Sequence, residues 1–187
     1  MKKYILTGGA SSGKSSIITA LELRGEHVIN ESAESVARYN NAMGLKNQHG
    51  TPQFQQDTLK LFLQREDRVL KLNPKRVFYD RGIHDILDYS IKYGASGFLN
   101  ELINRSTNHE YLKVFSIDRL SNFDKTEYRK EESAEETNKM GEQHIKTYEN
   151  FGLKVICVPD IGLEKRVDFV LKHCEDRKHE DDFRTIL

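Results

Sequence analysis

Residues 3–16 read KYILTGGASSGKSS, and the order of residue types in this stretch decides the fold. Tyr4, Ile5 and Leu6 favour an extended strand, Gly8 and Gly9 permit an abrupt turn, and Ile17, Ile18 and Leu21 then recur at helical spacing until Gly25 stops the helix. Across this strand, turn and helix the spacing G-x-x-x-x-G-K-S runs from Gly8 to Ser15. Small residues let consecutive backbone N–H groups turn inward on phosphate oxygens, and the following helix offers its positive N-terminal end. Gly8, Gly9, Ala10, Ser11, Ser12, Gly13, Lys14, Ser15 and Ser16 are therefore the predicted triphosphate cradle, a P-loop. Lys14 is expected to reach the β and γ phosphates and Ser15 to ligate Mg2+.

Outward from this stretch the chain keeps alternating. His27–Asn30 (HVIN) reads as a second strand, and Ala33, Val36 and Ala37 mark one face of a helix reaching about Met43. Gly44–Pro52 (GLKNQHGTP) holds two glycines and a proline without periodicity, and reads as an exposed loop able to cover a site. From Gln53 to about Leu72, Leu59, Phe62, Leu63 and Leu70 fall at helical spacing before Asn73 and Pro74. Strands at Arg76–Asp80 (RVFYD), Tyr111–Ile117 (YLKVFSI) and Lys154–Val158 (KVICV) alternate with helices from Ile83 to about Gly94, over Gly97–Arg105, over Glu135–Asn150, and from Leu163 onward. Five strands alternating with helices predict an α/β fold, a parallel sheet with helices on both faces and ligands at the carboxyl ends of its strands. At 187 residues without a break in composition, one domain over 1–187 is expected.

Composition narrows the function. The 29 basic residues balance the 29 acidic ones, so no net field draws the molecule to nucleic acid or anionic lipid, and neither is expected as a partner. Cys157 and Cys174 fit part-buried reduced thiols rather than a disulfide framework. No apolar run reaches the length of a membrane span, and a soluble, cytoplasmic protein is expected. A translational-type GTPase would carry Asn-Lys-x-Asp after a strand, but Asn138-Lys139-Met140-Gly141 lacks the aspartate and falls in a helix. A hexameric motor would need an Asp-Glu pair and a helical lid domain, and the chain shows neither.

The third strand ends in Asp80-Arg81-Gly82. An acid and a cation at a strand's carboxyl end suit phosphoryl transfer, Asp80 holding Mg2+ directly or through water and Arg81 offsetting charge on the transferred group. A strand-end aspartate capping the next helix beside a solvated arginine is the plainer alternative. Taken with GGASSGKS, with residues 30–38 (NESAESVAR), 78–89 (FYDRGIHDILDY) and 128–136 (YRKEESAEE), and with the closing stretch 148–158, the chain resembles the NadR-like P-loop ATPase/kinase group, the AAA-type ATPase/NadR domain, related to nucleoside and thymidylate kinases. The resemblance implies a kinase-like strand order with the Asp80 strand beside the P-loop strand, ATP and Mg2+ as cofactors, and a flexible lid at about 118–133.

It also implies a role for Glu31, as the base or hydroxyl ligand facing a phosphoryl acceptor; a first-turn carboxylate favoured by the helix dipole is the other reading. Arg119, Lys125, Arg129 and Lys130 fall in the lid stretch, where related kinases carry arginines that close over the phosphates. Arg119 is expected on the nucleotide and Arg129, within YRKEE, in catalysis. With Glu127, Glu131 and Glu132 interspersed, a solvated charged loop is the alternative. Gln64 and Arg65 could reach an acceptor pocket, and Asp85 could help hold the acceptor, against surface or capping roles for all three. Arg38 is placed to pair with Glu31 or Glu34, and His84 reads as a solvated residue at a helix start.

Two functions remain. One is a small-molecule kinase whose acceptor is nucleoside- or nucleotide-like; the other is a slow nucleotide-dependent regulator that reports its state to a protein partner. Glu31, Asp80 and Arg81 together favour the kinase, because a pure switch needs no base on the acceptor side.

Overall fold

The computed structural model describes residues 1–45, 48–117 and 134–174. Strands β1 (Lys2–Thr7), β2 (His27–Ile29), β3 (Arg76–Asp80), β4 (Lys113–Ile117) and β5 (Val155–Val158) form one sheet in the order β2-β3-β1-β4-β5. Every pairing is parallel. The strand ending at Asp80 lies beside the P-loop strand with Leu6 opposite Asp80, the order that the resemblance implies. Helices α1 (Lys14–Leu23), α2 (Ser32–Ala42), α3 (Pro52–Leu70), α4 (Ile83–Lys92), α5 (Leu99–Thr107), α6 (Ala134–Asn150) and α7 (Leu163–Cys174) fill the connections.

The two-residue period of the strands sorts the interior into two cores. Ile5, Val77 and Tyr79 point to one face, where Leu59 and Phe62 of α3, Ile83 and Leu87 of α4, Leu102 of α5 and Tyr148 of α6 cover them. Tyr4, Leu6 and Phe78 point to the other, under Ile17, Ile18 and Leu21 of α1 and Val167 and Val170 of α7. Burial on both faces explains why β1 and β3 read as near-continuous apolar runs.

Element boundaries shift for local reasons. Helix α3 starts at Pro52, whose missing N–H costs nothing at a first helical position, and Thr51 caps it by accepting a bond from Phe54 N at 3.2 Å. It stops at Leu70, and Asn73 turns the chain with φ 48°. The stretch expected as a helix from Gly97 begins with a 3-10 turn at Ser96–Phe98 before α5. Tyr111 stands outside β4 and its hydroxyl accepts from Ile83 N at 3.2 Å, tying the strand entrance to the start of α4. The loop before α3 is anchored where it is described, since Gln55 Nε2 donates to His49 O at 3.0 Å. Both thiols are free, as expected, but Cys157 is exposed and Cys174 buried where both were expected part-buried. Among the described residues no helix is long and apolar enough to cross a membrane.

Candidate active site

The P-loop spans the gap between Thr7 and Lys14 at the carboxyl end of β1. Gly8 has φ 133° and Gly13 φ 90°, both in the region that favours glycine. A Cβ on Gly8 would stand 2.7 Å from Ile117 O, and one on Gly9 2.8 Å from Thr137 O. The loop is thus wedged between β4 and α6. Lys14 is buried, its Nζ donating to Gly9 O at 2.7 Å and to Gly8 O and Ser12 Oγ at 3.2 Å, so the ammonium lies in the concavity of its own loop. From the opposite side Arg166 of α7 donates Nη1 to Ser12 O at 3.1 Å and Nη2 to Asp160 Oδ1 at 2.7 Å.

Asp80, at the end of the neighbouring strand, accepts a bond from Ser15 Oγ at 2.8 Å through Oδ2. Its Oδ1 is buried without a hydrogen-bond partner. Burial and the charge of Glu31 push this carboxyl up, to about 6, against the opposing pull of Lys14, Ser15 and Arg81. A hard oxygen set with one buried acceptor left over beside the phosphate loop fits Mg2+, which takes few protein ligands and completes its shell from water and phosphate. Ser15 and Asp80 would hold it.

Arg81 follows in the left-handed conformation, φ 68°, a strained state for a side chain of this size. Its backbone N–H continues the sheet onto Leu6 O at 3.0 Å. The residue is 6% exposed. It donates Nε to Glu31 Oε1 at 3.1 Å and Nη1 to Asp85 Oδ1 at 3.2 Å, and rests over the Tyr89 ring at 5.5 Å. Against the cost of burial, Tyr89, Glu31, Asp85 and Asp80 hold it well above its ordinary value, so it stays charged. Glu31 occupies the N-cap of α2 but makes no side-chain cap bond, its carboxylate being turned to Arg81. Arg65 of α3 fixes that corner by donating Nη1 to Asn30 O and Glu31 O at 2.9 Å and Nη2 to Ser35 Oγ at 2.7 Å.

Behind Arg81 lies Asp85, 1% exposed. It accepts from Thr7 Oγ1 at 2.6 Å, Gly82 N at 2.9 Å and Tyr148 Oη at 2.5 Å. Burial alone would raise this carboxyl; His144, Arg81 and the hydroxyls of Thr7 and Tyr148 outweigh it and hold it at about 2.

A family model described as an AAA domain matches residues 3–166. The chain belongs to that AAA domain family. Its fold is that of NadR-like P-loop kinases. It is similar to a NadR protein in complex with NR, with a TM-score of 0.71 and 16% identity over 91% of this chain and 49% of that one. A NadR protein in complex with NAD and AMP-PNP aligns with a TM-score of 0.67 and 16% identity, over 91% of this chain and 49% of that one. Deoxyadenosine kinase from M. mycoides with bound dATP gives 0.53 and 16%, over 92% of this chain and 98% of that one. This chain therefore spans about half the length of the NadR chains it matches. No curated protein matches it.

In this AAA domain the structure brings Lys14, Ser15, Glu31, Asp80 and Arg81 to one end of the sheet. Ser16 is exposed on the first turn of α1. Arg119, Lys125, Arg129 and Lys130, with the lid expected at 118–133, lie outside the described residues. Arg38 pairs with Glu34 at 2.5 Å, and Gln64 is exposed. Arg65 is half-buried and gives its donors to the backbone corner at Glu31. Asp85 takes the capping role, accepting from Gly82 N as a fully enclosed carboxylate. One expectation is corrected, that of a solvated His84. His84 is fully buried, its ring packed 4.6 Å from Tyr148 and 4.8 Å from Phe151, and burial pushes it down to about 4. Thr7, His144, Tyr148 and Arg166 escaped sequence reasoning. The signal for the α6 pair is a face at 137, 141, 144 and 148, spaced as a helix but mixed in polarity, so no apolar stripe announces it.

Proposed function

We propose that this domain is a Mg-ATP-dependent small-molecule kinase that transfers the γ-phosphoryl group to a hydroxyl or phosphate of a nucleoside- or nucleotide-like metabolite. The observation that carries this reading is the buried Glu31–Arg81 pair beside Asp80. A buried carboxylate held by Arg81 next to the candidate metal ligand is suited to take the proton of an acceptor hydroxyl. The acceptor class rests on the fold likeness to a NadR protein in complex with NR and to deoxyadenosine kinases with bound deoxynucleotides.

The backbone amides of Gly8 to Ser15 and the Lys14 ammonium bind and orient the triphosphate. Ser15 and Asp80 would hold Mg2+, which would supply charge neutralisation to the triphosphate. Glu31 accepts a hydrogen bond from the acceptor hydroxyl and takes its proton as the new phosphorus–oxygen bond forms and the bond to ADP breaks. Arg81, held charged, offsets negative charge on the phosphoryl group in flight. Arg119 for the nucleotide and Arg129 for catalysis complete the proposed set, both assigned by the family resemblance.

The test is ATP turnover with Mg2+ against a panel of nucleosides, nucleotides and related hydroxyl metabolites, with mass detection of products. One panel member should accelerate ATP consumption and emerge heavier by one phosphate. Slow hydrolysis indifferent to the whole panel, with a partner protein whose affinity differs between ATP and ADP, would replace this reading with the regulatory one.

A further inference from the structure

Helix α6 presents one face to both halves of the site. Thr137 O lies against Gly9, Gly141 packs so that an added Cβ would stand 3.0 Å from Gly9 N, and Tyr148 donates to Asp85. Between them is His144, fully buried and unused by the reaction outlined above. Its Nδ1 lies 2.7 Å from Asp88 Oδ2 and its Nε2 3.7 Å from Asp85 Oδ1, while its ring stands 5.2 Å from that of Tyr89. Asp88 is further held by Thr147 Oγ1 at 2.6 Å.

These contacts converge on one side chain. Asp85 and the Tyr89 ring are two of the groups that hold the Arg81 guanidinium, beside Glu31 and Asp80. His144 touches both of the first two and none of the reacting groups. We propose that His144 is a positioning residue for Arg81, fixing from α6 the carboxylate and the ring on which the guanidinium rests.

The chemistry of the slot agrees. A carboxylate only accepts, so Nδ1 donates to Asp88 and the ring plane is fixed by that bond. The second nitrogen then faces Asp85 across a gap too long for a hydrogen bond, and with a proton on it as well the imidazolium charge draws on that carboxylate in a buried, low-dielectric setting. His144 stands first among the groups that hold the Asp85 carboxyl down, ahead of Arg81 itself. An apolar residue of similar volume would fill the space without the cost of burying polar groups. Without the imidazole, Asp85 draws more heavily on Arg81, and the guanidinium turns from Glu31 toward α4. Misplacement of a charge-stabilising group by even a fraction of a bond length is costly to transfer and nearly neutral for ground-state nucleotide binding.

The inference rests on Arg81 serving phosphoryl transfer, and the experiment separates the two. Mg-ATP turnover, AMP-PNP affinity and the unfolding midpoint are measured for H144F, H144N, H144Q, R81Q and the H144F/R81Q double variant. H144F should lower kcat on the order of tenfold to a hundredfold with AMP-PNP affinity within about twofold of the parent. H144N, which restores a donor near the Nδ1 position, should recover part of the rate. In the R81Q background H144F should cost nothing further. If R81Q alone leaves turnover intact, the reading of Arg81 fails and this inference with it. If R81Q is slow but the His144 variants turn over normally per folded molecule, or if the two losses multiply, only the positioning role is overturned. Should H144F not fold, H144Q enters the same cycle with R81Q and decides it on the same criteria.

Discussion

Asp80 is held ionised at neutral pH in a place that disfavours its charge. Its carboxyl is raised to about 6 by burial and by Glu31, so the folded chain binds a proton more tightly than the unfolded one and loses stability as pH rises from about 4 to 6. Replacing it by the neutral isostere removes that burden. D80N should raise the free energy of unfolding at pH 7.5 without metal by about 1–3 kcal/mol, read from urea denaturation, while abolishing Mg-dependent ATP turnover. Lys14→Ala should remove AMP-PNP binding and leave the unfolding transition cooperative; full turnover in that variant would undo the site assignment. At this scale the sequence was most informative where motif and chemistry coincide, at Gly8 to Ser15 and at Asp80-Arg81. It was least informative where a side chain acts from far along the chain. Nothing near Arg166 announces a bond to Ser12 O, and Arg65 is an ordinary helix residue until the corner at Glu31 is folded beside it.

Among the elements, the start of α4 concentrates the constraints. A Cβ on Gly82 would stand 2.6 Å from Tyr148 Oη and 3.1 Å from Ile5 Cδ1. G82A should therefore cost about 1–3 kcal/mol by overpacking. The G82A/Y148F pair should cost less than the sum of the single changes once the hydroxyl is gone, a comparison that chemical denaturation resolves. Asp85, three residues into the same turn, is held at about 2 against an ordinary 3.8. Its folded pKa is depressed, so it contributes stability above pH 4, about 2 kcal/mol, which is lost as pH falls toward 2. Urea unfolding at pH 5 and pH 2.5 should show that loss in the parent and a shallower one in D85N. Element types were legible because a short run of β-favouring apolar residues, Tyr4, Ile5 and Leu6, stands in plain contrast to the helical spacing of Ile17, Ile18 and Leu21. Their ends were less legible, since Thr51 and Pro52 start α3 by capping chemistry and Tyr111 leaves β4 to serve α4, both decided by partners distant in sequence.

For the molecule as a whole, ligand and fold are linked through the site's scattered supports. AMP-PNP with Mg2+ at about a hundred times its Kd should stabilise the native state by about 2.7 kcal/mol, seen as a rise of several degrees in the unfolding midpoint, and Lys14→Ala should show no rise. The same scatter bears on what the motif can do alone. Gly8 is backed by Ile117, Gly9 by Thr137 and Gly141, and Ser12 by Arg166, so the phosphate loop is braced by residues that lie far along the chain from it. A fragment that keeps the complete motif but lacks α6 and α7 should therefore bind AMP-PNP more weakly than the whole domain, as a titration of the two would show.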